Sequence, residues 1–344
     1  MEGKMTYKSF GGFDAVIKEF NLKKRSELDP LFAAIRDELK DRIAGPAFCK
    51  INYISSVADG YWAEAGFPVS KGTAVTAGYK SRHYPEYSVI AIEADRGLKN
   101  LGEKYKKVYD HAYNIGMISE EFVVEVYPEE TAGGRIELLF VEHKWPELFI
   151  KNSLPFLDPA DMDILKQQAS GLGLETSMPE RFARIKKMVE GLDRRDEQVK
   201  YKVISGCSHV FPKEQLEKLR RAYVAARNKN ADPIDAVIEF MKGDRGWGEA
   251  AVRDGNTIYS EKKPRDPKAF AEAQSDKERK KAYCFCPIIR ENLDKGMSKS
   301  YCYCGAGWYR QQWEYATGKE VRVEILTSIL NGDDKCSFKV ILSD

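Results

Sequence analysis

EEFVVEVY (120–127) and RIELLFVEH (135–143) alternate across a TAGG turn in the manner of strands, which predicts two adjacent strands joined there. In the first, Phe122, Val124 and Val126 share one face, and Val123, Glu125 and Tyr127 share the other. Upstream the period changes. Leu31, Ile35, Leu39 and Ile43 recur every fourth residue, between Asp29-Pro30 at one end and Gly45-Pro46 at the other, as in an amphipathic helix. The strands KINYIS and YWAEAGF follow it. The whole pattern occurs twice at an ungapped offset of 74 residues: AVIKEF (15–20) falls on VIAIEA (89–94), FCKINY (48–53) on FVVEVY (122–127), and the helix stripe on Tyr105, Tyr109, Tyr113 and Met117. Each copy, about 5–75 and 79–146, reads as strand, helix, strand, strand.

Two βαββ units that each leave one apolar sheet face uncovered would pack as a pseudo-twofold pair with a groove where they meet. This duplicated plan, with the Glu125-Val126-Tyr127 step in the third strand of the second copy, resembles the GyrI-like small-molecule-binding domains, which also serve as effector-binding halves of AraC- and MerR-type regulators. The resemblance covers residues 1–150. It implies that Glu125 faces a central ligand pocket and pairs there with cationic or polar groups of amphipathic ligands. Tyr53, Tyr61, Trp62 and Tyr127 would supply aromatic walls. Some members resemble hydrolases of strained rings, in which case Glu125 and Tyr127 would be the catalytic pair.

Beyond residue 150 the pattern is mostly helical. DPADMDILKQQA and PERFARIKKMVEGLDRR predict a helical connector over 151–205, and a cysteine-rich domain follows over 206–344. The fold class expected is therefore α+β, with a duplicated N-terminal domain, helices, and a smaller α+β C-terminal domain. The polar run 259–282 is expected as an exposed connection.

Length and charge fit this division and narrow the function. A chain of 344 residues is long enough for at least two cores. Its 55 Lys and Arg nearly balance 53 Asp and Glu, so no basic excess points to nucleic acid. The first twenty residues lack the apolar core of a signal peptide, and no eighteen-residue apolar run is present, so the expectation is a cytoplasmic protein with no membrane partner. A nucleophile elbow, a phosphate-cradling GxxxxGK[ST] and a dinucleotide fingerprint are all absent.

The chemistry left over is thiol chemistry. Four of seven cysteines form two Cys-x-Cys pairs, Cys284/Cys286 and Cys302/Cys304. On extended segments both sulfurs of each pair point one way, and two paired segments would bring four thiols together as in structural zinc. Cys207, His209 and Cys336 are substitute ligands. Zinc is the metal expected first, an iron–sulfur cluster second, since the spacing matches neither standard ferredoxin pattern. The last sixty residues, with Gly332-Asp-Asp-x-Cys336-x-Phe338, resemble the end of 4-vinyl-reductase-like and aminothiazoline-carboxylate-hydrolase-like domains, which implies two antiparallel strands around a Gly-Asp turn. The leading expectation is a binder of a small amphipathic or cationic molecule with a cysteine-ligated metal in its second domain. The alternatives are a hydrolase using Glu125 and a tyrosine, and a thiol- or metal-responsive interaction protein.

Overall fold

The computed structural model describes residues 4–52, 60–95, 101–128, 134–211, 213–243 and 250–343. The fold is α+β, with two antiparallel sheets, and the chain divides into two compact units, Met1–His143 and Lys144–Asp344.

In the first unit the repeat seen in the sequence is a repeat of structure. Strands β1 (Thr6–Phe10), β2 (Phe13–Leu22), β3 (Ala47–Asn52) and β4 (Tyr61–Val69) are answered by β5 (Lys80–Tyr84), β6 (Tyr87–Asp95), β7 (Ser119–Tyr127) and β8 (Arg135–Glu142). Helix α1 (Leu28–Leu39) joins β2 to β3, and α2 (Leu101–Asn114) joins β6 to β7. The duplicated βαββ plan holds, with one further strand, β1 or β5, ahead of each copy. Those leading strands are polar on most positions and are held by pairing, each onto the other copy: β1 pairs with β6, and β5 with β2.

This exchange bends the sheet. Its strand order is β1-β6-β8-β7-β3-β4-β2-β5, so Gly11-Gly12 must carry the chain from one edge strand to a strand beside the opposite edge. In a flat sheet β1 and β3 would lie about 19 Å apart at the usual strand spacing. The rings of Phe10 and Phe48 are instead 6.0 Å apart, so the sheet curls and closes on its own apolar face. The inner core includes Ile17, Phe48, Val89, Val124 and Leu139. Gly11 sits at the closure with φ +109°, and a Cβ there would meet the Pro85 carbonyl oxygen at 2.0 Å, so only glycine fits.

Both helices cover the other face. Phe32 of α1 packs on Phe67 and Tyr127, with centroids 5.9 and 5.1 Å away, and Tyr105 of α2 packs on Phe140 at 5.6 Å. The buried stripe of α1 is Leu28, Phe32, Ile35 and Leu39. The helix starts one residue before Asp29 without a side-chain cap, so the Asp-Pro pair lies inside its first turn.

The second unit begins with helices α3 (Trp145–Ser153), α4 (Pro159–Ala169), α5 (Met178–Glu190) and α6 (Glu197–Ser205), followed by α7 (Lys213–Asn228) and α8 (Pro233–Gly243). Asp158, Ser177 and Asp196 cap α4, α5 and α6 by accepting from the third residue of each helix or its equivalent. Strands β9 (Ala250–Asp254) and β10 (Thr257–Glu261) precede α9 (Pro267–Glu272), α10 (Asp276–Tyr283) and the short α11 (Pro287–Arg290). Helix α12 (Tyr303–Thr317) leads into β11 (Val321–Thr327) and β12 (Ser337–Leu342), and the sheet order is β11-β12-β10-β9. Residues 151–205, expected as a connector, pack within this unit: the Tyr201 hydroxyl donates to Val321 O and accepts from Val323 N.

The run 259–282 is not a bare connection. It carries β10, α9 and α10, and α10 starts at a capping box in which Ser275 and Glu278 satisfy each other's backbone N–H groups. No described helix is long and apolar enough to cross a membrane.

Candidate functional site

Register places the key carboxylate. Glu125 pairs with Cys49 of β3 on one side and Leu138 of β8 on the other, and alternation sends its side chain to the helix-covered face with Tyr127. It is fully buried. A bare carboxylate there would cost several kcal/mol, so the surroundings must satisfy it.

Three donors do so. Arg25, in the 3-10 turn Arg25–Glu27 between β2 and α1, donates from Nε at 2.9 Å and Nη2 at 2.6 Å to Oε1, and from Nε to Oε2 at 3.2 Å. The Tyr105 hydroxyl of α2 donates to Oε1 at 2.6 Å, and that of Tyr127 donates to Oε2. Arg25 also lies over the Tyr105 ring, 5.9 Å from its centroid. The carboxylate is sealed in while the guanidinium side chain is 34% exposed, so the arginine stands between Glu125 and solvent.

The electrostatics follow from this geometry. Burial, then the Glu125 charge, raises the hydroxyls of Tyr105 and Tyr127 far above their ordinary value, so both are proton donors at any physiological pH. Burial alone would lower Arg25, but its hydrogen bonds and ion pair with Glu125 outweigh that and raise it. Cys49, across the ladder, is held well above the usual thiol range by burial and then by the Glu125 charge, so it is an unreactive part of the floor.

Of the other residues expected at this site, Tyr61 heads β4 on the Glu125 face, half-buried, whereas Trp62 alternates to the opposite face with Glu64. Tyr53 lies outside the described residues. The sequence reading missed Arg25, which hides in the run Lys23-Lys24-Arg25 that looks like a solvated face, and it read Tyr105 only as part of a helix stripe.

In the second unit the two Cys-x-Cys pairs differ in conformation. Cys284 and Cys286 are extended, between α10 and α11, but Cys302 ends the 3-10 turn Lys299–Cys302 and Cys304 lies in the first turn of α12. The two pairs therefore do not lie on paired strands. The Cys302 Sγ is 3.1 Å from Ser328 Oγ, Cys286 Sγ donates to the Tyr301 hydroxyl at 3.6 Å, and Cys304 Sγ donates to Cys207 O at 3.6 Å. Cys336 Sγ accepts from Ile329 N at 3.5 Å. Cys207 is buried and bonded to Val203 O at 3.3 Å, and the His209 carbonyl accepts from Gln311. Burial pushes the Cys302 and Cys304 thiols up to about 12.

A family model described as a family of unknown function (DUF6144) matches residues 267–344, the part that holds Cys284, Cys286, Cys302, Cys304 and Cys336. No curated protein matches the chain. Among solved structures, the crystal structure of the EcmrR C-terminal domain is similar with a TM-score of 0.35 and 15% identity, covering 41% of this chain and 99% of that one. The EcmrR–DNA complex in EcmrR-RPo, determined by cryo-EM, gives a TM-score of 0.35 and 15% identity over 41% of this chain and 58% of that chain. The match thus spans less than two thirds of that longer EcmrR chain.

Proposed function

We propose that the first unit binds a small organic cation with an aromatic or apolar body, anchored on Glu125. The observation that carries this reading is Arg25. A fully buried carboxylate lined by two phenol hydroxyls is already paired with a cation, and that cation arrives on a part-exposed side chain from a turn outside the sheet. A ligand guanidinium or ammonium offers the same charge and donors, and the ring of Tyr105 offers the same cation–π face. The resemblance to GyrI-like domains implies the same glutamate. A hydrolytic role for Glu125 finds less support, because both its oxygens already accept from Arg25, Tyr105 and Tyr127 and neither is free to take a proton.

Titration calorimetry of the full chain with benzylguanidine tests the reading. Removing the tethered competitor in Arg25→Ala is expected to tighten binding by about tenfold or more, and Glu125→Gln is expected to abolish it. Equal affinity in the wild type and Glu125→Gln would overturn the proposal.

A further inference from the structure

The group that Arg25 presents to Glu125 is in effect a small molecule on a tether, a monosubstituted guanidinium, and the way it is held specifies what could take its seat. Its Nε, the nitrogen that carries the chain, donates to Oε1 at 2.9 Å and to Oε2 at 3.2 Å, and Nη2 donates to Oε1 at 2.6 Å. The contact is therefore made along one flat edge, by two neighbouring N–H groups. The guanidinium carbon lies 5.9 Å from the centre of the Tyr105 ring. Lys23 and Lys24, the two residues before it, stay exposed while Arg25 turns in.

The rest of the seat is held without Arg25. The Tyr105 hydroxyl donates to Oε1 at 2.6 Å and that of Tyr127 to Oε2, one on each oxygen. The Tyr105 ring is braced by Phe140 at 5.6 Å and the Tyr127 ring by Phe32 at 5.1 Å, and the strand that carries Glu125 and Tyr127 is fixed by its ladder to β3. When the arginine leaves, each carboxylate oxygen keeps one phenol donor. The acceptor positions that Nε and Nη2 filled must then be filled by whatever covers them, because a charged acceptor sealed from water without a donor loses its solvation and gains nothing in return.

Three kinds of cation differ at this point even when they carry the same apolar body. A guanidinium refills both positions with two N–H groups and sets a flat cation beside the Tyr105 ring. A primary ammonium brings charge and donors, but as a compact, strongly hydrated point charge without a flat edge. A quaternary ammonium can face the ring, yet it has no N–H and leaves the acceptor positions unfilled.

We infer that the ligand of this site is a monosubstituted guanidine, and that Glu125, Tyr105 and Tyr127 select it over an ammonium or a quaternary ammonium of the same body. This rests on the reading of Glu125 as a cation anchor and adds to it the class of cation.

Titration calorimetry of the full chain at neutral pH compares benzylguanidine, benzylamine and benzyltrimethylammonium, which share one body and one positive charge. Benzylguanidine is expected to bind tighter than benzylamine by about threefold or more, and tighter than benzyltrimethylammonium by about tenfold or more. Arg25 competes with all three probes, so the same ratios are expected in Arg25→Ala; they are read first in the wild type, where no folding defect of a variant can mimic them. A smaller ratio in either comparison, with binding still lost in Glu125→Gln, would overturn the selectivity for guanidines and leave the cation site standing. Binding of none of the three probes, or affinities unchanged in Glu125→Gln, would overturn the reading of the site and this inference with it.

Discussion

The first unit buries two carboxylates on opposite faces of one sheet, and their partners differ in a way that separates scaffold from site. Glu64 of β4 bonds to Arg82 and Tyr84, both on β5, and lies 3.9 Å from Lys50 of β3. Glu125 of β7 bonds to Arg25, Tyr105 and Tyr127. The chemistry is nearly the same, an arginine and tyrosine hydroxyls around a buried carboxylate. All of Glu64's partners are strand residues fixed by ladder register, and Arg82 also holds Glu19 at 2.6 Å. Glu125 owes its cation to a three-residue turn that has no side-chain cap. A network fixed on every side by the ladder cannot exchange a member without unmaking the sheet. One whose cation comes from a turn can.

The largest effect expected from this contrast is on stability. Glu64→Ala should cost the first unit about 3 kcal/mol, because it leaves the buried Tyr84 hydroxyl without its acceptor and takes the carboxylate from Lys50 and from one arm of Arg82, which keeps only Glu19. Chemical denaturation of the full chain, followed at its separate transitions, measures this. A cost below about 1 kcal/mol would put Glu64 in the class of surface pairs and erase the distinction.

Rescue sharpens the comparison next. Arg25→Ala and Arg82→Ala both strand a buried carboxylate and should both destabilise by about 2–3 kcal/mol. The two arginine side chains are about equally exposed, 34% for Arg25 and 36% for Arg82, so the variants differ in whether the cation came from a turn or from a strand of the ladder. Benzylguanidine at a hundred times its Kd should therefore restore about 2.7 kcal/mol to Arg25→Ala and nothing to Arg82→Ala. Melting with and without the probe decides it, and rescue of Arg82→Ala would invert the two roles.

The pH dependence comes third, and here the two faces should act together. Burial first, and the neighbouring carboxylate second, raise Tyr84, Tyr105 and Tyr127 above their unfolded value of 10.0. The folded protein keeps protons that the unfolded chain releases, so this stabilisation is complete below about pH 10 and is lost as pH rises beyond it, by up to about 1.4 kcal/mol per pH unit for each group. Unfolding free energies between pH 9 and 11 should fall accordingly. Tyr84→Phe and Tyr127→Phe should each flatten the slope, and a flat wild-type profile would contradict the burial of these hydroxyls.

How far the sequence disclosed this can be argued residue by residue. The offset of 74 carried β2 and β6, β3 and the Glu125 strand, and both helices, because apolar periodicity is set by burial and both copies bury the same faces. Alternation put Glu125 and Tyr127 on one side correctly, and by the same rule Trp62 belonged on the other. Arg25 stayed hidden because only the path of the chain from β2 into α1 turns one residue of a basic run inward. The leading strands β1 and β5 were missed because pairing across the copies holds them, with little apolar signal of their own. The cysteine spacing suggested paired extended segments, but Cys302 and Cys304 lie at helix ends, and the turn in which Ser328 meets Cys302 and Ile329 meets Cys336 has no signature in sequence.

The smallest expected effect tests the finest part of the comparison. Tyr105 differs from Tyr127 in coming from a helix, in being half-buried, and in stacking its ring under the Arg25 guanidinium. Tyr105→Phe removes one hydroxyl donor and keeps the ring, so stability should fall by about 1 kcal/mol. Benzylguanidine affinity should change by no more than about threefold, since the cation–π face survives and the carboxylate, relieved of one donor, attracts a cation at least as strongly. Tyr105→Ala takes away the ring as well and should weaken binding further by about 1 kcal/mol. If the two variants bind the probe equally, the ring contributes nothing to cation recognition, and Tyr105 is only a hydrogen-bond donor to Glu125, as Tyr84 is to Glu64.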